Sequence, residues 1–160
     1  MDKLPNPVDY AVPAFILLIL AEMAWAKRRA PEAYEPRDTL TSLLFGVGST
    51  VASTLVAGTV FGVGLWVYQF RVFTMPWTWW AWIACFVADD FLYYVFHRAA
   101  HRVRWFWASH VNHHSSQHYN LSTALRQTWT GFIALSFTFR LPLMLAGFHP
   151  AMVAFVGGLN

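Results

Sequence analysis

Trp77-Thr78-Trp79-Trp80-Ala81-Trp82-Ile83-Ala84-Cys85-Phe86-Val87-Ala88-Asp89-Asp90-Phe91-Leu92-Tyr93-Tyr94-Val95-Phe96-His97-Arg98-Ala99-Ala100-His101 is the stretch that decides the fold. Pro76 stands just before it, and proline is favoured where a helix begins. The four tryptophans at its start resemble the aromatic belt found where a bilayer meets water. The apolar run continues through Cys85 and Phe91 and ends in two histidines four residues apart. On a helix that spacing stacks two imidazoles on one face. The expectation is a membrane helix, starting at Pro76, that presents a metal-binding pair at its far end.

Working outward, the N-terminal side holds two more apolar runs. Val8 to Ala26 is long enough to cross a hydrocarbon core of about 30 Å. It closes on Lys27-Arg28-Arg29, without a cationic leader before it, and reads as a permanent anchor. Residues 30–38 carry two prolines and several charges and read as a loop. The second run, Leu40 to about Phe70, is rich in small residues, among them Gly46, Gly48, Ser53, Gly58, Gly62 and Gly64, which let membrane helices approach closely. It exceeds one crossing and is expected to be tilted, or broken near the glycines. Downstream, a fourth apolar run covers Trp129 to Phe148, and another begins at His149-Pro150.

Composition agrees with this layout. The chain is 57% hydrophobic and only 12% charged, against roughly 25% charged in soluble domains. The net charge of +3 is not a nucleic-acid signature, because the basic residues flank apolar runs. Lys27, Arg28, Arg29 and Arg37, and two crossings later Arg98, Arg102, Arg104 and Arg126, fall on one side, with Arg71 alone in the intervening loop. The positive-inside rule makes that side cytoplasmic. The expected fold is all-α: a multi-pass transmembrane helical bundle with a cytoplasmic histidine-rich helical segment, in a single membrane domain over residues 1–160. The Trp and Phe stripes read as lipid-facing belt. Cys85 is the sole cysteine and is expected to be a small buried residue.

Six of the seven histidines lie between His97 and His118: His97-x-x-x-His101, His110-x-x-His113-His114, then His118. Two helices carrying such sets offer several imidazoles to one cavity, and imidazole is the commonest neutral metal ligand. The expected metal ligands are His97, His101, His110, His113, His114 and His118. No Asp or Glu occurs from Phe91 to Asn160, so the carboxylate-rich sites of soluble di-iron proteins are excluded in this segment. Imidazole suits iron, zinc and copper alike. Asp89 and Asp90, with Tyr93 and Tyr94, are expected to support the ligands by hydrogen-bonding a second imidazole nitrogen; a salt bridge to a neighbouring Arg is the alternative for the two acids. Arg140, costly in lipid, is expected to face protein, water or headgroups, and His149 reads as an interfacial polar residue.

Residues 90–101 and 110–127, with His-Arg-x-x-His, His-x-x-His-His and the following Ser-Ser-x-x-Tyr-Asn-Leu-Ser-Thr-Ala-Leu-Arg-Gln, resemble the fatty acid hydroxylase/sterol desaturase superfamily. The last element resembles the branch that contains alkylglycerol monooxygenase and bacterial relatives. The resemblance implies a non-haem di-iron centre at the cytoplasmic membrane face, O2 activation, and hydroxylation or desaturation of a lipid C–H bond. His97, His101, His110, His113 and His114 match family ligand positions; Gln117 and His118 stand where relatives often carry acidic residues. Family members continue past the equivalent of Asn160 with further histidines, so the expectation is an incomplete fatty acid hydroxylase/sterol desaturase domain, its motif region over residues 88–128. No flavin or nicotinamide fingerprint is present, so electrons are expected from a partner protein or a reduced pterin. The competing readings are a zinc-dependent membrane hydrolase with Asp89 or Asp90 as acid or base, a non-enzymatic metal or haem carrier, and an inactive truncated remnant.

Overall fold

The computed structural model describes residues 8–159. Among them every regular element is helical and no strand is present. The α-helices are α1 (Val8–Arg29), α2 (Pro36–Tyr68), α3 (Trp79–Ala100), α4 (Arg104–His110), α5 (Leu141–Ala146) and α6 (Pro150–Gly157), with 3-10 turns between α1 and α2 and between α4 and α5. Among the described residues two helices are long and apolar enough to cross a membrane, over Tyr10–Arg29 and Pro36–Tyr68.

Helix α2 is continuous through its glycines, so of the two alternatives, tilt or break, the break does not occur. Three of them, Gly46, Gly48 and Gly64, serve close approach instead. A Cβ on Gly48 would fall 2.1 Å from the Trp129 ring, and one on Gly64 would fall 3.0 Å from Met144. The N-terminus of α2 is set by Pro36 in the first turn and by Glu35, whose carboxylate accepts from Asp38 N at 2.6 Å. Helix α3 begins at Trp79 rather than Pro76. Residues up to Trp77 are spent on the turn, and the Thr78 carbonyl accepts the first helical bond from Ala81 N.

The apolar core lies away from the histidines, where the C-terminal part of α2 and the first half of α3 meet α5 and α6. Val67, Cys85, Leu143, Met144, Phe148, Met152, Val153 and Val156 are buried there. Cys85 is therefore a packing residue, as expected. Much of the rest of α1 and α2 leaves large aliphatics uncovered; Leu55 is 79% exposed. A water-soluble chain of this size does not normally present so much contiguous apolar surface.

The fourth apolar run is not one helix. Ser136 and Thr138 turn their hydroxyls onto the Gly131 and Leu135 carbonyls, the competing local bonds that disfavour helix. Leu135 sits at φ +57, and a 3-10 turn over Ser136–Arg140 leads into the short α5. Gly147, at φ +108, ends α5 and lies against Phe73, so the α2–α3 turn and the α5–α6 corner interlock.

Candidate metal centre

The end of α3 brings His97 and His101 to one face. The backbone then bends at residues 101–103, and α4 returns alongside to deliver His110, with His113 and His114 on the following 3-10 turn. One nitrogen each from His97, His101, His110 and His114 lies within 4.8 Å of all the others. The Nε2 atoms of His97 and His101 are 3.2 Å apart, and those of His110 and His114 are 3.1 Å apart. Across the two pairs, ring centroids lie 4.7 Å apart for both His97–His110 and His101–His114. Trp107 stacks on the outer face of His114, and Tyr93 leans on His97.

Crowded imidazoles repel one another when charged. Burial first, and neighbouring imidazoles second, push His110 down to about 4 and lower His114 below its ordinary value. Both rings are neutral near pH 7, the form that ligates metal. The donor set fits a transition metal that accepts nitrogen ligands. The Nδ1 atoms of His97 and His113 are buried without a hydrogen-bond partner among the described residues. Such orphans cost free energy in a closed protein; on His113, whose ring lies 5.3 Å from that of His114, the bare nitrogen marks a fifth imidazole at the edge of the group.

The remaining expected residues are placed differently. His118, expected as a sixth ligand, is not in the group; its Nδ1 is 3.0 Å from the Glu32 carbonyl oxygen. Asp89 is fully buried, and both its carboxylate oxygens accept from Arg140, at 2.7 and 3.1 Å. This is the salt-bridge alternative for Asp89, and it supplies the polar partner that Arg140 requires. The Tyr94 hydroxyl accepts from Arg98 one turn along, and Asp90 is exposed. His149 packs between Tyr68 and Trp77 and accepts from Ala151 N at the start of α6.

Sequence reading missed the polar residues that carry the segment after the histidines. Glu22, in the first apolar run, accepts from Leu121 N at 2.7 Å and from the Tyr34 hydroxyl. Asn120 donates to the Ala33 carbonyl at 2.6 Å. Arg126 is buried against Asp38. An ionisable residue inside an apolar run was a signal available for Glu22; no single-sequence signal pairs Asp38 with Arg126.

A cavity of about 1040 Å³ opens between α2 and the segments that follow residue 127. Its wall is mostly apolar and includes Val56, Gly58, Phe132 and Phe137, with Arg140 and Thr128 among its polar members. The Thr128 hydroxyl lies 2.9 Å from that of Ser109, the residue just before His110. Some aromatics expected as lipid-facing belt thus line a groove, whereas Trp79, 75% exposed, faces outward.

An all-helical fold with membrane-length helices and a four-imidazole cluster defines the class of histidine-rich proteins suited to hold a metal beside a bilayer. Known proteins narrow this. Residues 82–160 match the fatty acid hydroxylase family. Alkylglycerol monooxygenase of Homo sapiens is 39% identical over 132 residues, which is 80% of this chain and 29% of that protein. The Danio rerio protein of the same name is 37% identical over 149 residues, 91% of this chain and 33% of its own. That of Caenorhabditis elegans is 40% identical over 94 residues, 56% of this chain and 18% of its own. No solved structure matches the chain. The chain belongs to the fatty acid hydroxylase/sterol desaturase superfamily, in the branch that resembles alkylglycerol monooxygenase. It spans a third or less of the length of these curated relatives.

Proposed function

We propose that this chain carries the metal-binding part of a multi-pass membrane oxygenase that uses non-haem iron and O2 to hydroxylate or desaturate a lipid C–H bond. The observation that carries the proposal is the convergence of His97, His101, His110 and His114 within 4.8 Å. His113 stands beside them as a further ligand for a two-metal centre. A bound pair of irons would supply O2 activation, which no side chain can supply alone.

The chain's own residues do the rest. The neutral imidazoles of His110 and His114 offer ligands without first shedding protons. The apolar groove beside Thr128 takes the alkyl part of the substrate and excludes water from it, and the relatives' name, alkylglycerol monooxygenase, agrees with a lipid of that kind. Electrons come from outside the chain, through a donor protein or a reduced pterin.

The cytoplasmic placement draws support from geometry at one end of the helices. The last turn of α1 carries Lys27, Arg28 and Arg29. The connection after it is bonded to residues 118–126, and these follow directly on the histidines. The basic residues and the cluster thus share one end, as the positive-inside rule asks. The test is metal loading of the purified protein in detergent, followed by O2 uptake with an alkyl lipid and an external reductant. Iron-dependent O2 consumption coupled to an oxidised lipid supports the proposal. Activity with zinc alone, without O2 uptake, overturns it in favour of a hydrolase.

A further inference from the structure

The segment after the histidines, residues 115–126, is held by a charge pair that no ligand spacing would reveal. Arg126 and Asp38 meet at 2.6 Å with side chains only 5% and 17% exposed. Arg126 also donates to the Asp38 backbone carbonyl at 3.0 Å and to Ser42 at 3.2 Å, both in the opening turns of α2. Two further bonds reach the ligand-bearing turn itself. Arg126 donates to the Ser115 hydroxyl at 3.0 Å, and the Ser116 hydroxyl donates to the second oxygen of Asp38 at 2.6 Å. Ser115 and Ser116 follow directly on His113 and His114. Each end of the pair therefore bonds one of the two residues that follow those imidazoles in the chain.

A buried pair is a poor device for stability alone, since apolar replacements of similar size often do as well. Its distinctive property is direction. A carboxylate that accepts on both oxygens, and a planar guanidinium that donates along fixed lines, hold their partners in one orientation. We propose that Asp38 and Arg126 are positioning residues for the metal centre, acting through Ser115 and Ser116 on His113 and His114. This rests on the metal reading above. The pair sets metal affinity and ligand field, as supporting hydrogen bonds around metal ligands do elsewhere.

The test uses cobalt(II) as probe, titrated into the full chain in detergent micelles, with the visible absorption bands and the melting temperature recorded together. The variants are Ser116→Ala and Ser115→Ala, which leave the charge pair in place, and Asp38→Asn, which breaks it. Ser49→Ala, whose hydroxyl bonds only within α2 to the Gly46 carbonyl, is the control. The expected result is about tenfold or greater loss of cobalt affinity in Ser116→Ala and in Asp38→Asn. Shifted cobalt bands are expected in both, with wild-type behaviour in the control. Wild-type affinity and spectrum in both serine variants overturns the proposal. So does affinity that falls only in step with melting temperature under an unchanged spectrum, which makes the pair a staple of the fold. A wild-type chain that binds no cobalt overturns the metal reading first and this inference with it.

Discussion

Deleting one imidazole of the cluster tests the arrangement most directly, and His101→Ala is the cleanest choice. His101 is exposed, so its removal leaves no cavity, and its Nε2 faces His97 at 3.2 Å. Four-ligand zinc sites in small folds carry apparent binding free energies of about 10–16 kcal/mol. Shared among four ligands, that is about 2.5–4 kcal/mol each, and every 1.4 kcal/mol is a factor of ten. The variant should bind zinc about two to three orders of magnitude more weakly than wild type, read by competition with a chromophoric chelator. His118→Ala is the informative companion. Its ring is engaged with the Glu32 carbonyl and stands outside the group, so its zinc affinity should match wild type. Equal losses in the two variants, or no loss in His101→Ala, would refute the four-imidazole geometry.

Three further outcomes follow from other parts of the molecule. Gly147→Ala places a side chain at φ +108 and 2.3 Å from the Phe73 carbonyl oxygen; it should lose more than about 2 kcal/mol of stability, yet keep its zinc affinity, because the clash lies at the opposite end of α3. The metal-free protein should weaken as pH falls from about 6.5 towards about 4. In that window the unfolded chain protonates His110 and the folded chain, held at about 4, does not; His114 adds in the same sense. A denaturation midpoint that stays flat across this range counts against the crowded cluster. A Cβ added at Gly58 meets no atom within 4 Å, and Gly58 lines the groove, so Gly58→Leu adds bulk to its wall. It should leave folding intact and shift turnover towards shorter chains, at about fourfold per displaced methylene; unchanged chain-length preference removes the groove from the substrate path.

The parts of this fold that could be read in sequence are those governed by local periodicity. His97 and His101, and His110 with His114, announce themselves by spacing, because helical geometry fixes which side chains stack. Cys85 lies in an apolar run, and it is buried because its face of α3 packs into the core with residues of α5 and α6. Residues 129–148 defeated the same logic: hydropathy sees a continuous run, but Ser136 and Thr138 bond backward to the main chain and Leu135 adopts a left-handed backbone. Asp38 and Arg126 are far apart in sequence, and nothing local couples them. Asp89 was legible as a polar residue near the ligands, whereas its pairing with Arg140 depends on how the broken run folds back across α3. His118 shares the histidine-rich composition, but the Asn120 and Ser116 contacts carry its backbone towards the α1–α2 connection.

Helix α2 has 33 residues, a rod of about 50 Å, against about 30 Å of hydrocarbon. On the membrane reading, roughly 20 Å of it must tilt or stand clear of the lipid. Its opening turns, with Asp38 and Ser42, are the ones that grip the segment behind the histidines. Lipid thickness then becomes a mechanical input: a thinner or thicker bilayer changes how far that post emerges and with it the height of the imidazoles above the headgroups. Reconstitution in short- and long-chain phospholipids would turn membrane composition into a dial on the metal centre, without altering a single residue.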